Sequence, residues 1–421
     1  VTTFTYDALN RIVQVTDPDP DRTTSYGYDL AGNLTRITDT QSGDILMSYD
    51  VLDRLTEAVT AQGTVGYAYD ALGRRTSRTI GGGDATAYTY DRANRLKTVT
   101  LRGRTASYNY DVAGRLDSKV LPNGIAVAYQ YDAADRVTSI AYRKTDNAPI
   151  ETIAYGYDAG GQRTLKALGS ASLQETPFTA TYDEANRLAT ITLNGEAFTL
   201  AYDDNGNLAS KSGPTSGTTT YTWTARNQHV QIASQTVTAS FKYDALGRRT
   251  EKTVNGQTTG FLYDGAQAIA ELRANAIDIV YHTGVQIDEV LARYAPSGNK
   301  TLLTDALMSV IAQTNDAQNT DNFVAYSPFG ESISLGPDEG NPLKFTGREN
   351  DGTGLYYYRA RYYDPVLKRF IAEDPIGMRA GPNYYAYVGE NPVGFIDPSG
   401  LDYLTISRYP GASGQGHIGV G

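Results

Sequence analysis

Polar and apolar residues alternate along the chain in short stretches that recur about every 20 residues. Each stretch ends in a pattern close to Tyr-x-Tyr-Asp, as in YAYD at Tyr67–Asp70 and YNYD at Tyr108–Asp111. Alternation with a period of two is typical of a half-buried β-strand. The Tyr-Asp pair begins at Tyr6, Tyr28, Tyr49, Tyr69, Tyr90, Tyr110, Tyr131, Tyr157, Tyr182, Tyr202, Tyr243 and Tyr263, and a worn copy, YTWTARN, fills the one long gap. A fixed period of this length predicts a repeat architecture.

The turn that follows each strand has a restricted composition. Three residues after the Asp, twelve copies carry only Gly, Asn or Asp: Asn10, Gly32, Asp53, Gly73, Asn94, Gly114, Asp135, Gly161, Asn186, Gly206, Asn227 and Gly247. These residues tolerate a positive φ, which the turn of a β-hairpin demands. The last copy has Gln267 there, so we expect the regular turns to end near residue 265. Thirteen hairpins, or 26 strands, follow.

A sheet of this width is too large for a barrel filled by side chains, since about eight strands already make one. The pattern therefore predicts a wall around a cavity or a strongly curved open sheet. The repeated Asp, Arg and Tyr residues are interpreted first as a structural ladder, because function rarely needs one group a dozen times. A charged ligand surface and sugar stacking on the tyrosines are the alternatives.

The composition of the chain argues against several classes of function. The chain has 33 Tyr against 10 Phe, no Cys, and a net charge of −10. Without Cys there are no disulfides, thiolate metal sites or cysteine nucleophiles. The acidic balance argues against nucleic-acid binding, and no apolar run is long enough to span a membrane. We expect no metal and no cofactor; Gly414-x-Gly416-x-x-Gly419 resembles a dinucleotide fingerprint but lacks the helix that would follow it. The start, without Met or signal peptide, suggests a piece of a longer chain.

Specific motifs follow the repeats. They are TDALMSVIAQTNDAQN at 304–319, FVAYSPFGE at 323–331, FTGRENDGTGLYYYRARYYDPVLKRFIAEDPIG at 345–377 and PNYYAYVGENPVGFIDPSGL at 382–401, and we expect a short helical stretch within residues 303–320. Together with YDALGRRTSRT, YDVAGRLDSKV and YDALGRRTEKT in the repeats, they resemble the YD repeats and core of the Rhs family, which teneurins and the C component of insecticidal toxin complexes share. The resemblance covers residues 1–401.

The resemblance implies an all-β fold. YD-repeat hairpins would form a large, hollow, spiralling β-sheet shell, with a C-terminal core segment plugging or lining it. We expect the shell over residues 1–295, the core with a self-cleavage site over 296–401, and the start of a truncated toxin domain over 402–421. The implied partners are the chain's own C-terminal toxin domain, a secretion or delivery machinery and an immunity protein. The implied location is that of a secreted or delivered effector made in the bacterial cytoplasm.

The resemblance also implies site residues. Cleavage would fall between Leu401 and Asp402, after the Asp397-Pro398-Ser399-Gly400-Leu401 motif, with Asp374 and Asp397 as catalytic aspartates and Arg369 in support. Two carboxylates can hydrolyse a peptide when one is ionised and the other protonated. Asp-Pro also marks ordinary turns, so spacing alone leaves the chemistry open. The rival from another class is a non-enzymatic structural or adhesive module that binds glycans or protein partners.

Overall fold

The chain folds into two large antiparallel sheets. The computed structural model describes residues 2–18, 22–169 and 173–401 and the backbone of residues 404 and 405; Asp402, Gly414–Gly419 and most of the expected toxin start lie outside them. The first sheet contains sixteen strands in chain order. They are β1 (Thr3–Tyr6), β2 (Ile12–Thr16), β3 (Thr23–Tyr28), β4 (Leu34–Asp39), β5 (Gly43–Tyr49), β6 (Leu55–Thr60), β7 (Gly63–Tyr69), β8 (Arg75–Ile80), β9 (Ala85–Tyr90), β10 (Leu96–Leu101), β11 (Arg104–Tyr110), β12 (Leu116–Val120), β13 (Ala126–Tyr131), β14 (Val137–Arg143), β15 (Pro149–Tyr157) and β16 (Arg163–Leu168).

The second sheet also pairs sixteen strands in chain order. They are β17 (Phe178–Tyr182), β18 (Leu188–Leu193), β19 (Glu196–Tyr202), β20 (Leu208–Gly213), β21 (Gly217–Trp223), β22 (His229–Ala233), β23 (Thr238–Tyr243), β24 (Arg249–Val254), β25 (Gln257–Asp264), β26 (Gln267–Arg273), β27 (Ala276–Thr283), β28 (Val290–Ala295), β29 (Gly298–Thr304), β30 (Val310–Thr314), β31 (Thr320–Tyr326) and β32 (Ser332–Leu335). The 26 strands predicted from the repeats are therefore β1–β26.

A compact core segment follows the sheets. It contains β33 (Glu349–Asn350), β34 (Tyr356–Tyr358), β35 (Arg361–Asp364), β36 (Arg369–Phe370) and β37 (Phe395–Ile396), which pairs with β38 (Leu404–Thr405), and three short 3-10 turns at Phe345–Gly347, Gly377–Ala380 and Val388–Glu390. The described residues contain no α-helix, so the all-β prediction is confirmed. No helix within them is long and apolar enough to cross a membrane.

The hairpin turns have the predicted geometry. In the copy at Asp70, the Asp70 N–H donates to the carbonyl of Arg74 at 2.9 Å, and the Gly73 N–H donates back to the Asp70 carbonyl at 3.0 Å. The Asp70 carboxylate accepts the N–H groups of Leu72 and Arg74. All twelve residues predicted to need a positive φ have one, between 57° and 94°. Asp recurs at the start of these turns because its carboxylate accepts hydrogen bonds from the turn backbone. Gly, Asn or Asp recurs three residues later because that position has a positive φ.

The repeated charges and tyrosines form a structural ladder, as predicted. Arg74 pairs with Asp70 of its own turn at 2.7 Å and stacks on the Tyr90 ring of the next hairpin, 4.7 Å from its centroid. The Tyr90 hydroxyl donates back to the carbonyl of Arg75. The Arg–Tyr stack recurs for Arg11/Tyr28, Arg54/Tyr69, Arg95/Tyr110, Arg115/Tyr131, Arg136/Tyr157, Arg187/Tyr202 and Arg248/Tyr263. At these eight junctions, the stacked arginine and the tyrosine hydroxyl hydrogen bond tie one hairpin to the next.

Three further hairpins extend the series beyond the regular repeats. The helical stretch expected within residues 303–320 is wrong: between β29 and β31 the chain forms a turn, β30 and a second turn. Asp305 closes the first turn as Asp70 closes its own, because its carboxylate accepts the N–H groups of Leu307 and Ser309. Met308 occupies the left-handed position with φ 65°. Residues 304–309 are therefore a worn copy of the repeat, hidden by Met where Gly or Asn is usual.

Parts of the two sheets are covered by packing between the layers. Apolar residues of β9–β15, among them Val99 and Ile140, pack against Leu303 and Ile311 of the second sheet. The inner face of β18–β23 is covered instead by the core segment, with Leu355, Tyr357, Tyr362, Leu367 and Ile371 in its apolar cluster. The core segment therefore lines the second sheet, and its own strands hold the candidate site.

Candidate functional site

Asp374 lies in a tight turn just after β36. Its backbone N–H donates to the carbonyl of Tyr384 at 3.0 Å, and Gly377 closes the turn by donating to the Asp374 carbonyl at 2.9 Å. One carboxylate oxygen, Oδ1, accepts the N–H of Ile376. The side chain is buried. The ordinary turn that an Asp-Pro pair marks is therefore present here. It involves Oδ1 of Asp374, while Oδ2 contacts a different partner.

Asp397 lies at the start of the expected cleavage motif and is also buried. Its Oδ1 accepts the N–H of Gly400 at 2.8 Å, the N–H of Leu401 at 3.2 Å and the hydroxyl of Ser399 at 3.1 Å. The carboxylate therefore binds the backbone N–H groups of Gly400 and Leu401, the last two residues before the expected cut. Asp402, on the other side, lies outside the described residues.

Arg361 brings the two aspartates together. Its Nη2 lies 2.6 Å from Asp374 Oδ2 and 3.4 Å from Asp397 Oδ2, so both carboxylates meet at one guanidinium nitrogen. The guanidinium stacks on Phe370, 3.6 Å from the ring centroid, which fixes its plane. Burial lowers the pKa of Arg361, while the two carboxylates oppose that shift. Acid–base chemistry by an aspartate pair needs one carboxyl ionised and the other protonated.

Arg369, the arginine named from the sequence, makes other contacts. Its Nη2 donates to the carbonyl of Asn186 at 3.0 Å, and its guanidinium lies over the rings of Tyr182 and Tyr385. It thus joins the core to a hairpin of the second sheet. The arginine on the carboxylates is Arg361, which the sequence analysis missed. The two arginines share one short run, RARYYDPVLKR, and no spacing signal distinguishes them.

The segment before the expected cut is held along its backbone by the turn between β34 and β35. Arg359 donates to the carbonyl of Pro398, the Ala360 N–H to that of Ser399 at 3.1 Å, and Arg361 Nε to that of Gly400. Gly400 has φ 72°, and a Cβ there would lie 2.2 Å from the carbonyl oxygen of Tyr358. Only glycine permits this approach. The structure therefore brings Asp374, Asp397 and Leu401 into one buried site.

Comparison with known families agrees with this architecture. The family model described as Teneurin YD-shell matches residues 1–124 and 125–393. The chain belongs to the teneurin YD-shell family. The YD-shell and Rhs resemblance inferred from the motifs is thereby confirmed, together with the predicted shell fold.

Curated relatives of this YD-shell chain include toxins. It is 30% identical over 257 residues to the Double-stranded DNA deaminase toxin A of Burkholderia cenocepacia, covering 52% of this chain and 18% of that protein. It is 31% identical over 262 residues to the tRNA3(Ser)-specific nuclease WapA of Bacillus spizizenii, covering 59% and 11%. It is 29% identical over 247 residues to Toxin subunit YenC1 of Yersinia entomophaga, covering 51% and 24%. The chain spans less than a quarter of each relative.

A solved structure shares the fold. The chain resembles the crystal structure of TcdB2-TccC3 with a TM-score of 0.72 and 19% identity, over 95% of this chain and 27% of that one. The likeness extends through both sixteen-stranded sheets and the core segment, because so much of this chain is covered. The likeness shows the fold, and the chemistry of the core must be argued from its own residues.

Proposed function

We propose that this chain is the shell part of an Rhs-type toxin that encloses a C-terminal toxic domain and releases it by cutting its own backbone between Leu401 and Asp402. The observation that carries the proposal is the convergence of Asp374 and Asp397 on Arg361, with Asp397 also accepting the N–H of Leu401. Burial of a carboxylate is destabilising unless it is paired, so two carboxylates buried at one guanidinium nitrogen favour a chemical role over a purely structural one.

The reaction is hydrolysis of one peptide bond. The ionised member of the Asp374–Asp397 pair takes a proton from water as the water oxygen bonds to the carbonyl carbon of Leu401. The protonated member gives its proton to the departing nitrogen of Asp402, and the carbon–nitrogen bond breaks. The products are a carboxylic acid on Leu401 and an amine on Asp402, which become a carboxylate and an ammonium group by proton transfer. No group besides water and the two carboxyls is consumed or supplied.

The substrate segment and the catalytic groups belong to one chain. The substrate is therefore held near the catalytic groups by covalent linkage and does not have to be bound from solution. The hydrogen bonds that the turn 359–361 donates to the carbonyls of residues 398–400 fix the segment before the reaction. Such preorganisation removes much of the entropic cost of bringing reactants together. Beyond the cut, β38 pairs with β37, so the released end begins next to a backbone contact with the core.

Enclosure of a toxic domain is proposed for the full-length protein. The relatives named as a deaminase toxin, a nuclease and a toxin subunit support it, since each is several times longer than the matched region. In this chain β9–β15 pack against the second sheet and β18–β23 pack against the core segment. The cargo space would therefore involve other parts of the protein. A delivery machinery and an immunity protein are further proposed partners, and the location is that of a delivered or secreted effector.

Intact-protein mass spectrometry tests the cleavage. Wild-type chain should give a fragment ending at Leu401, whereas Asp397→Asn and Asp374→Asn should stay whole. Glu373→Gln is the matched control, because it neutralises the carboxylate next to Asp374 that contacts Tyr385 instead of Arg361. It should cut like wild type. An uncut wild-type chain, or equal cutting in the Asn variants, would overturn the protease proposal and leave the rival structural or adhesive module.

A further inference from the structure

The thirteenth hairpin, β25–β26, has Gln267 at the turn position where the other hairpins have Gly, Asn or Asp, and its contacts explain the difference. β25 ends at Asp264 and β26 begins at Gln267, and these two residues pair directly across a two-residue turn. Asp264 no longer closes its own turn; its carboxylate binds Arg75 of the first sheet at 2.6 Å. The Gln267 side chain, freed from the turn position, accepts the backbone N–H of Asp288 at 2.8 Å. The exceptional turn thus contacts the loop between β27 and β28.

Asp288 is a buried acid in that loop, with φ 62°. Its carboxylate accepts Arg348 Nη1 at 2.5 Å and Arg359 Nη2 at 2.6 Å. Burial alone would raise the pKa of Asp288, but the two guanidinium groups outweigh it and hold the pKa below its usual range. Asp288 is therefore an anion that fixes two arginines of the core segment.

Arg359 connects this loop to the cleavage segment. It adopts a left-handed φ of 59°, and its Nε donates to the carbonyl of Ala266 at the tip of the thirteenth hairpin, at 3.0 Å. Its Nη1 donates to the carbonyl of Pro398. One guanidinium therefore contacts the hairpin tip, Asp288 and the backbone three residues before the expected cut. A non-glycine residue is held at positive φ only where its surroundings stabilise it.

We infer that Asp288, oriented by Gln267, is a positioning residue for self-cleavage, because it fixes the Arg359 guanidinium that holds Pro398 in register with Asp374 and Asp397. The inference rests on the self-cleavage proposed above and adds a function for the shell. The thirteenth hairpin and its neighbouring loop complete the site, so a core segment that has not docked on them lacks the aligned substrate. Cleavage is thereby coupled to closure of the core on the second sheet.

The test compares two arginines that share Asp288. Full chains carrying Arg359→Met or Arg348→Met are made by cell-free translation, and the fraction cut after Leu401 is followed with time. Both changes remove an ion pair to Asp288, but only Arg359 donates to the cleavage segment; Arg348 donates to the carbonyl of Tyr357. Arg359→Met should slow cleavage by about 10–100-fold, the effect of misplacing a reacting group by about 1 Å. Arg348→Met should remain within a few-fold of wild type.

Two further variants separate positioning from folding. Arg359→Lys keeps a donor and a charge and should recover part of the rate, and Asp288→Asn should slow cleavage with an unchanged pH profile, since it does not touch the aspartate pair. Thermal unfolding of each variant shows whether it has folded. Wild-type cleavage with an unaffected Arg359→Met, or equal slowing by Arg348→Met at equal stability, would overturn the inference alone. An uncut wild-type chain would instead overturn the proposed function itself.

Discussion

The indole N–H of Trp223 donates to the carbonyl of Leu208 at 2.8 Å. In the neighbouring hairpin, the hydroxyl of Tyr243 donates to the carbonyl of His229 in the same way, at 2.6 Å. The ladder position therefore requires a flat ring with a hydrogen-bond donor at its far edge rather than tyrosine itself. This is why the worn copy YTWTARN still forms a hairpin in the series.

Replacing Trp223 tests this requirement. Trp223→Phe keeps an aromatic ring but leaves the Leu208 carbonyl without its donor, and should lower the free energy of unfolding by about 1–2 kcal/mol. Trp223→Tyr restores the usual ladder residue and should cost less. Thermal unfolding of both variants beside wild type measures the difference. Equal destabilisation by Phe and Tyr would show that ring size, not the donor, matters.

Arg249 should be a far stronger determinant of stability than any surface arginine. It is fully buried, pairs with both Glu349 and Asp351, and joins β24 to the core segment. Arg249→Met would leave two buried carboxylates with a single cation, Lys252, at 2.8 Å from Asp351. We expect a loss of about 3–5 kcal/mol. The exposed pair Arg36–Asp44 is the control: Arg36→Met should change stability by about 1 kcal/mol or less in the same denaturation experiment.

Gly400→Ala should abolish cleavage while leaving the shell folded. The added Cβ would meet the Tyr358 carbonyl at 2.2 Å, so the segment before the cut could not dock on the turn 359–361. Gly352→Ala is the matched control, since Gly352 has φ 74° but nothing near its Cβ position. Both variants carry the backbone strain of about 1 kcal/mol. Only the first should accumulate uncut chain by mass spectrometry; equal cutting in both would contradict the docking geometry.

The shell should lose stability as pH falls from about 6.5 toward 4. Burial lowers the pKa of His282 to about 4; its Nδ1 meets the Tyr294 hydroxyl and its Nε2 the Val99 carbonyl. In this window the unfolded chain binds a proton that the folded chain rejects, so acid favours unfolding by up to about 1.4 kcal/mol per pH unit. His282→Gln should flatten the dependence of the unfolding midpoint on pH. An unchanged slope would show that other groups control it.

The hairpins could be predicted because their determinants are local. A positive φ at Gly73 or Asn94 follows from residue type, and the Asp four residues before each Arg completes the same turn. The hairpin at Asp305 escaped prediction because Met308 has no intrinsic preference for φ 65°; its neighbours impose it. The repeat can thus be predicted where residue type determines the backbone conformation. It cannot be predicted where tertiary packing overrides the intrinsic preference of the residue.

The site could be predicted only in part. The two aspartates were found through the DPxG motifs, but their meeting at Arg361 depends on how β34, β35 and β36 pair. Arg361 and Arg369 lie on adjacent strands, and only this pairing determines which of them faces the carboxylates. Similarly, nothing in the sequence links Gln267 or Asp288 to Pro398, since the link runs through contacts that span 21, 71 and 39 residues of chain. Long-range geometry, not residue type, decides them.

The ladder is directional. At eight junctions a hairpin stacks an arginine on the tyrosine of the hairpin that follows and receives its hydroxyl hydrogen bond, as Arg74 and Tyr90 do. Because these junctions use the same exchange, a 20-residue unit can be gained or lost between two of them without creating a new kind of interface. The circumference of such a shell can therefore change in discrete steps during evolution, while the exceptional thirteenth hairpin keeps its fixed relation to the core.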